Sequence, residues 1–158
     1  MCTTLGPITV LQWNAYATDA GDVLTADAAS LRRVLDIAVT SLLAAIQESL
    51  PDLKQSQESA ILITNGGFGY FDPQIDAFGV QSNSMGLSIA NSAKHKLVGL
   101  LAEKLKGDGI YVGEVTVMGT VKGTAWDSGK GPTIDPATIA DKFWQLYRAR
   151  SEVRAQIS

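Results

Sequence analysis

The 158 residues, 46% hydrophobic and 18% charged, suffice for one buried core and are too few for two domains of usual size. A net charge of −3 with scattered cations supplies no basic field for nucleic acid, and no apolar run approaches the roughly 20 residues of a membrane helix. One cysteine, Cys2, and one histidine exclude an internal disulfide and a Cys/His zinc cluster, and Met1–Leu5 shows no secretory pattern, so a cytoplasmic protein without metal is expected.

Ile8 to Trp13 opens after Gly6-Pro7 as a short apolar run that closes at a polar Asn, which reads as a buried parallel strand. From Asp27 to Leu50 the spacing of Leu31, Val34, Leu35, Ala38, Leu42, Ala45 and Ile46 predicts an amphipathic helix, which Pro51 is expected to stop. Ala60 to Thr64 reads as a second buried strand, turning sharply at Asn65-Gly66-Gly67. Phe68 to Gly86 lacks a clear period and is expected to be a long loop of the lid kind. Helical spacing resumes from Leu87 to Leu105, ends at Gly107-Asp108-Gly109, and a third strand follows from Ile110 to Val117. A glycine-rich loop over Met118 to Thr133 leads to Asp135-Pro136, a cap and first-turn pair that announces a last helix carrying Ile139, Phe143, Leu146 and Tyr147. Alternating strands and helices imply an α/β class, with right-handed crossovers and a parallel sheet covered by helices.

The order and wording of these segments resemble the short-chain dehydrogenase/reductase family from its fourth strand to its last helix. GPITVLQWNA (6–15) resembles the fourth strand and RRVLDIAVTSLLAAIQ (32–47) the central helix. AILITNGG (60–67) resembles the fifth strand, and LAEKLKGDGIYVGEVTVMGTV (101–121) the sixth strand with its preceding helix. Phe143-Trp144-Gln145-Leu146 is similar to the last helix of divergent members. The resemblance implies one Rossmann-like domain over residues 1–158: a doubly wound parallel sheet in three α/β/α layers, truncated so that the N-terminal dinucleotide-binding units have no counterpart. It implies NAD(P) as the family's cofactor and oxidoreduction as its activity.

The departures carry the functional expectation. No G-x-G-x-x-G occurs, and Asn65 to Gly69 has the wrong spacing for a phosphate loop. The family uses a Tyr hydroxyl to move a proton, a Lys four residues later to lower its pKa, a Ser after strand five, and an Asn in the central helix. Aligned without gaps, those four positions are Ala38 for Asn, Gly66 for Ser, Leu87 for Tyr and Asn91 for Lys. A second register puts Lys94 on the Lys and Ala90 on the Tyr, but removes three residues inside a helix and turns all that follows by roughly 300°. Neither register supplies a tyrosine, so the isolated chain is expected to be inactive and to bind no cofactor.

Three vestigial cofactor-side positions remain by resemblance: Asn14 and Ala15 after the first strand, and Gly119 of the turn after Val117, where Met118 replaces the family's proline. His95, between Lys94 and Lys96, reads as part of a solvated helix face, and Asp19/Asp22 and Glu48/Asp52 read as surface charge. Tyr70, Phe71, Phe78, Trp126, Phe143, Trp144 and Tyr147 either line an apolar pocket or fill the core. The expected roles are a scaffold or partner-binding domain, part of a larger NAD(P)-dependent oxidoreductase, or a small-molecule-binding module. A strand as apolar as Ile8 to Trp13, interior in the family, would here lack one neighbour. A homo-oligomer, or a chain completing the sheet, is therefore expected.

Overall fold

The computed structural model describes residues 6–158; Cys2 lies outside them. Four strands, β1 (Val10–Trp13), β2 (Ala60–Gly66), β3 (Tyr111–Val117) and β4 (Arg154–Ile157), form one sheet in the order β1-β2-β3-β4. All three pairings are parallel. Two of the apolar runs read from sequence become β2 and β3, the central pair, because strands covered on both faces are apolar at most positions, whereas the run expected as a buried strand from Ile8 becomes β1, whose residues are only half-buried or exposed. The last strand had no sequence signal. Arg-Ala-Gln-Ile is short and alternating, and only its pairing with β3 makes it a strand.

Side chains alternate between the two faces, and each face has its own core. On one, Ile61, Ile63 and Val112 pack against Leu42, Ile46 and Leu53 of α2 (Ser41–Gln55) and Val98 and Leu105 of α4 (Met85–Leu105). On the other, Ala60, Leu62, Val115 and Ile157 pack against Phe143 and Leu146 of α5 (Pro136–Ala149). The result is three layers, α/β/α. Because α5 crosses the face opposite to α2 and α4 while the strands advance in one direction, the third crossover has the opposite hand to the first two. Uniform right-handed crossovers are thus corrected: the apolar stripe of α5 matches only the face that α2 and α4 leave open.

The first long helix is not continuous. Asp27 caps α1 (Ala28–Leu35) by accepting from the Ser30 amide, a single π-helical turn spans Asp36–Thr40, and α2 follows. Pro51 does not stop α2, which continues to Gln55. Proline costs about 3 kcal/mol in a helix interior. The turn beyond it places Leu53, fully buried, in the main core, which offsets much of that cost.

The long-loop expectation for Phe68 to Gly86 is corrected too. A short 3₁₀ turn spans Gly67–Gly69, and α3 occupies Pro73–Gln81 with Asp72 as its cap and Pro73 in its first turn. Asp72-Pro73 is the same signature as Asp135-Pro136. Only Gly79 of α3 is buried, so no apolar stripe marks the helix in the sequence.

Candidate functional site

The carboxyl ends of β1, β2 and β3 open onto a cleft of about 1350 Å³ lined from both α4 and α5. Parallel α/β sheets bind ligands at this end, because the loops leaving the strands diverge there. Asn14 and Gln12 of the β1 segment, Thr64 to Gly67 of β2 and its turn, and Met118 and Gly119 after β3 form its floor. Leu87, Asn91 and Lys94 of α4 enter from one side, and Phe143 and Trp144 of α5 from the other.

Of the three cofactor-side positions, Asn14 and Gly119 line the cleft, whereas Ala15 is exposed and does not. Asn14 Oδ1 accepts from Gln12 Nε2 at 3.0 Å and from the Thr64 hydroxyl, which fixes the amide across β1 and β2.

The four positions equated with the catalytic groups divide. Ala38, on the π-helical turn, is buried beside Val34, Ala20 and Ala90, away from the cleft. Gly66, Leu87 and Asn91 line the cleft. Leu87, Asn91 and Lys94 stand at i, i+4 and i+7 and so share one face of α4. Ala90 is turned into the helix packing. A Cβ on Gly66 would lie 2.7 Å from Asn91 Nδ2, so the Asn91 amide fills the space a serine side chain would need.

The glycines of Asn65 to Gly69 are likewise occupied by neighbours. A Cβ on Gly67 would meet Met118 Sδ at 2.5 Å, and one on Gly69 would meet the Asn91 backbone at 2.7 Å. The Ser92 hydroxyl donates to the Gly69 carbonyl at 3.0 Å, clamping the turn to α4. These glycines serve close packing, and no cradle is left for a pyrophosphate.

Beneath the cleft lies a charged network absent from the sequence reading. Glu114 of β3 is fully buried. Its carboxylate accepts from Asn65 Nδ2 at 2.6 Å and from Arg154 Nε at 3.2 Å, and lies 2.8 Å from His95 Nδ1. A carboxylate can only accept, so Nδ1 carries the proton. Arg154 Nη2 also donates to the His95 carbonyl at 2.9 Å, and Tyr70 meets the imidazole edge-on. The solvated face expected for Lys94 to Lys96 is therefore corrected. His95 is largely inside, Lys94 is 2% exposed, and Lys96 alone faces solvent. Burial holds the Lys94 amine down at about 8, partly opposed by the Glu114 charge.

The aromatic residues sort by position. Phe143 belongs to the core and the cleft together; Phe78, Trp126, Trp144 and Tyr147 line the cleft; Phe71 is exposed and Tyr70 covers His95. Trp126 Nε1 donates to the Tyr16 hydroxyl at 3.2 Å, joining the loops after β3 and β1. Asp19 pairs with Arg33 at 2.6 Å, and Asp52 accepts from the Ile8 amide at 3.0 Å, both structural uses. Among the described residues no three His, Cys, Asp or Glu side chains converge as metal ligands, and no helix is long and apolar enough to cross a membrane.

No family model and no curated protein matches the sequence. Solved structures do. A short-chain dehydrogenase from Sphingobium yanoikuyae in complex with NADPH superposes with a TM-score of 0.75 at 19% identity, over 94% of this chain and 57% of that one. Pseudomonas aeruginosa RhlG in an active-site complex with NADP gives 0.78 at 16% identity, over 96% and 65%. A short-chain dehydrogenase from Burkholderia cenocepacia in complex with NADP gives 0.77 at 18%, over 96% and 60%. This chain thus spans less than two thirds of the length of each. At these identities the likeness concerns architecture: the chain has the Rossmann-like α/β fold of the short-chain dehydrogenase/reductases.

Proposed function

We propose that this chain is a short-chain dehydrogenase/reductase-like domain that binds a small molecule in its cleft and does not transfer hydride by itself. One observation carries the reading. The cleft is large and mostly apolar, the positions equated with its proton-transfer groups hold Gly66, Leu87 and Asn91, none of which can act as an acid or base near neutral pH, and Lys94 has Ala90 four residues before it, where the family's catalytic lysine has its tyrosine. Such a cleft can still bind a ligand, since binding needs shape and a few polar groups rather than a proton relay. Calorimetric titration of the isolated chain with NADH and NADPH is expected to show no saturable binding in the micromolar range. A dissociation constant of a few micromolar would overturn the reading.

A second reading, a partner-binding domain, draws on the β1 edge. Among the described residues β1 pairs only with β2, and Ile8 and Val10 beside that edge are exposed. Unpaired amides and carbonyls flanked by apolar side chains are normally covered by another strand. The occupant would be a second copy, or a chain that completes the sheet and brings a nucleotide loop, in which case oxidoreduction belongs to the assembly. Light scattering after size exclusion at low micromolar concentration is expected to show a dimer or larger species. A well-folded monomer with protected β1 amides would rule this out.

A further inference from the structure

Lys94 occupies a place that ordinary packing does not explain. It sits in the middle of α4, 2% exposed, between core residues Ala90 and Val98 of the same helix, yet its side chain lines the cleft. Among the described residues its ammonium group makes no ion pair, and the Glu114 carboxylate, whose charge acts on it, already serves Asn65, His95 and Arg154. A cation largely withdrawn from water without an ion-pair partner is costly. The two other charged side chains of the cleft, Glu58 and Arg148, are exposed and stand with Tyr147, where Arg148 lies over the Trp144 ring. Lys94 is thus the buried charge of the cavity. The walls that a ligand would touch on its way to Lys94 are apolar and aromatic: Leu62, Met118, Phe143 and Trp144, with Trp126 and Tyr16 joined across the two loops.

We propose that Lys94 anchors the anionic head, a carboxylate or sulfonate, of an apolar aromatic ligand whose body lies along the Phe143, Trp144 and Trp126 side of the cleft. The proposal rests on the small-molecule reading above and gives it a ligand class. A charge-assisted hydrogen bond to a desolvated ammonium supplies more than a neutral one does, while the rings supply contact area at little entropic cost.

Two fluorescent probes separate the anchor from the cavity: anilinonaphthalene sulfonate, and phenylnaphthylamine, which has the same rings without the acid. Both are expected to bind the native chain. Lys94→Met is expected to weaken the sulfonate about tenfold, the equivalent of one good charged hydrogen bond, and to leave the neutral probe within about twofold. Lys94→Gln, neutral but polar, is expected to do the same, which separates loss of charge from any repacking by methionine. Equal losses for the two probes, or none, would overturn the anchor and leave the cavity intact. Failure of both probes to bind the native chain would overturn the small-molecule reading, and the anchor with it.

Discussion

Lys94→Met is expected to raise stability at pH 7 by about 3 kcal/mol, an unusual direction for a change at a fully buried position. The folded chain holds the Lys94 amine at about 8 against 10.5 for a free lysine, chiefly through burial. That gap corresponds to about 3 kcal/mol spent below pH 8 on keeping the ammonium out of water. Between pH 8 and 10.5 the unfolded chain binds more protons here than the folded one, so native stability rises with pH through that window. Methionine has similar length and no charge to desolvate, so the variant starts from the relieved state and loses this dependence. Tyr111 acts in the opposite sense, its phenol being pushed up to about 12 mainly by burial, so stability falls again above pH 10. Melting temperatures from pH 6.5 to 9.5 isolate the lysine. The expected result is a midpoint roughly 6–10 °C higher for the variant at pH 7, converging with the native chain toward pH 9.5. A variant less stable than the native protein at pH 7 would show that the ammonium is well solvated or paired. A stabilising Lys94→Met with weakened anion binding is also the signature of a residue kept for a ligand rather than for the fold.

Glu114→Ala is expected to cost about 3–5 kcal/mol, the range found when one member of a buried charged network is removed. The loss has two parts. His95 Nδ1, Arg154 Nε and Asn65 Nδ2 each lose the acceptor they now reach at 2.8, 3.2 and 2.6 Å, and a fully enclosed side chain leaves a void in β3. Because Arg154 belongs to β4, the outer strand should be the first element released. Glu114→Gln keeps the volume and one acceptor and is expected to fall between the two. Chemical denaturation with hydrogen exchange on β4 measures both effects, and a cost below 1 kcal/mol for the alanine variant would show the network to be ornamental. Removing Glu114 also removes the charge that supports the Lys94 ammonium, so the two substitutions are expected to be non-additive.

The sequence by itself determined the α/β class, the two central strands and the helix of Leu87 to Leu105. Each of these carries its signal in its own residues: an unbroken apolar run where a strand is covered on both faces, or a stripe at helical spacing. By the family resemblance alone it also set Ala38, Gly66, Leu87 and Asn91 at the positions of the family's catalytic groups. Elements held by their surroundings were illegible. β4 exists through pairing with β3, α3 is capped by Asp72 yet buries almost nothing, and α2 passes through Pro51 because Leu53 finds a core beyond it. The hand of the third crossover depends on which sheet face remains open after α2 and α4 have packed.

The candidate site divides in the same way. Asn14 and Gly119 are cofactor-side positions only by the family resemblance, and Lys94 and His95 read as solvated helix surface because the same lysine-histidine-lysine text suits water equally well. Only the fold brings Glu114 of one strand, Asn65 of another and Arg154 of a third under α4, and only the fold turns Lys94 toward a cavity. Groups as far apart in the chain as His95, Glu114 and Arg154 leave no local pattern. Their meaning comes from desolvation and distance, which tertiary packing alone creates.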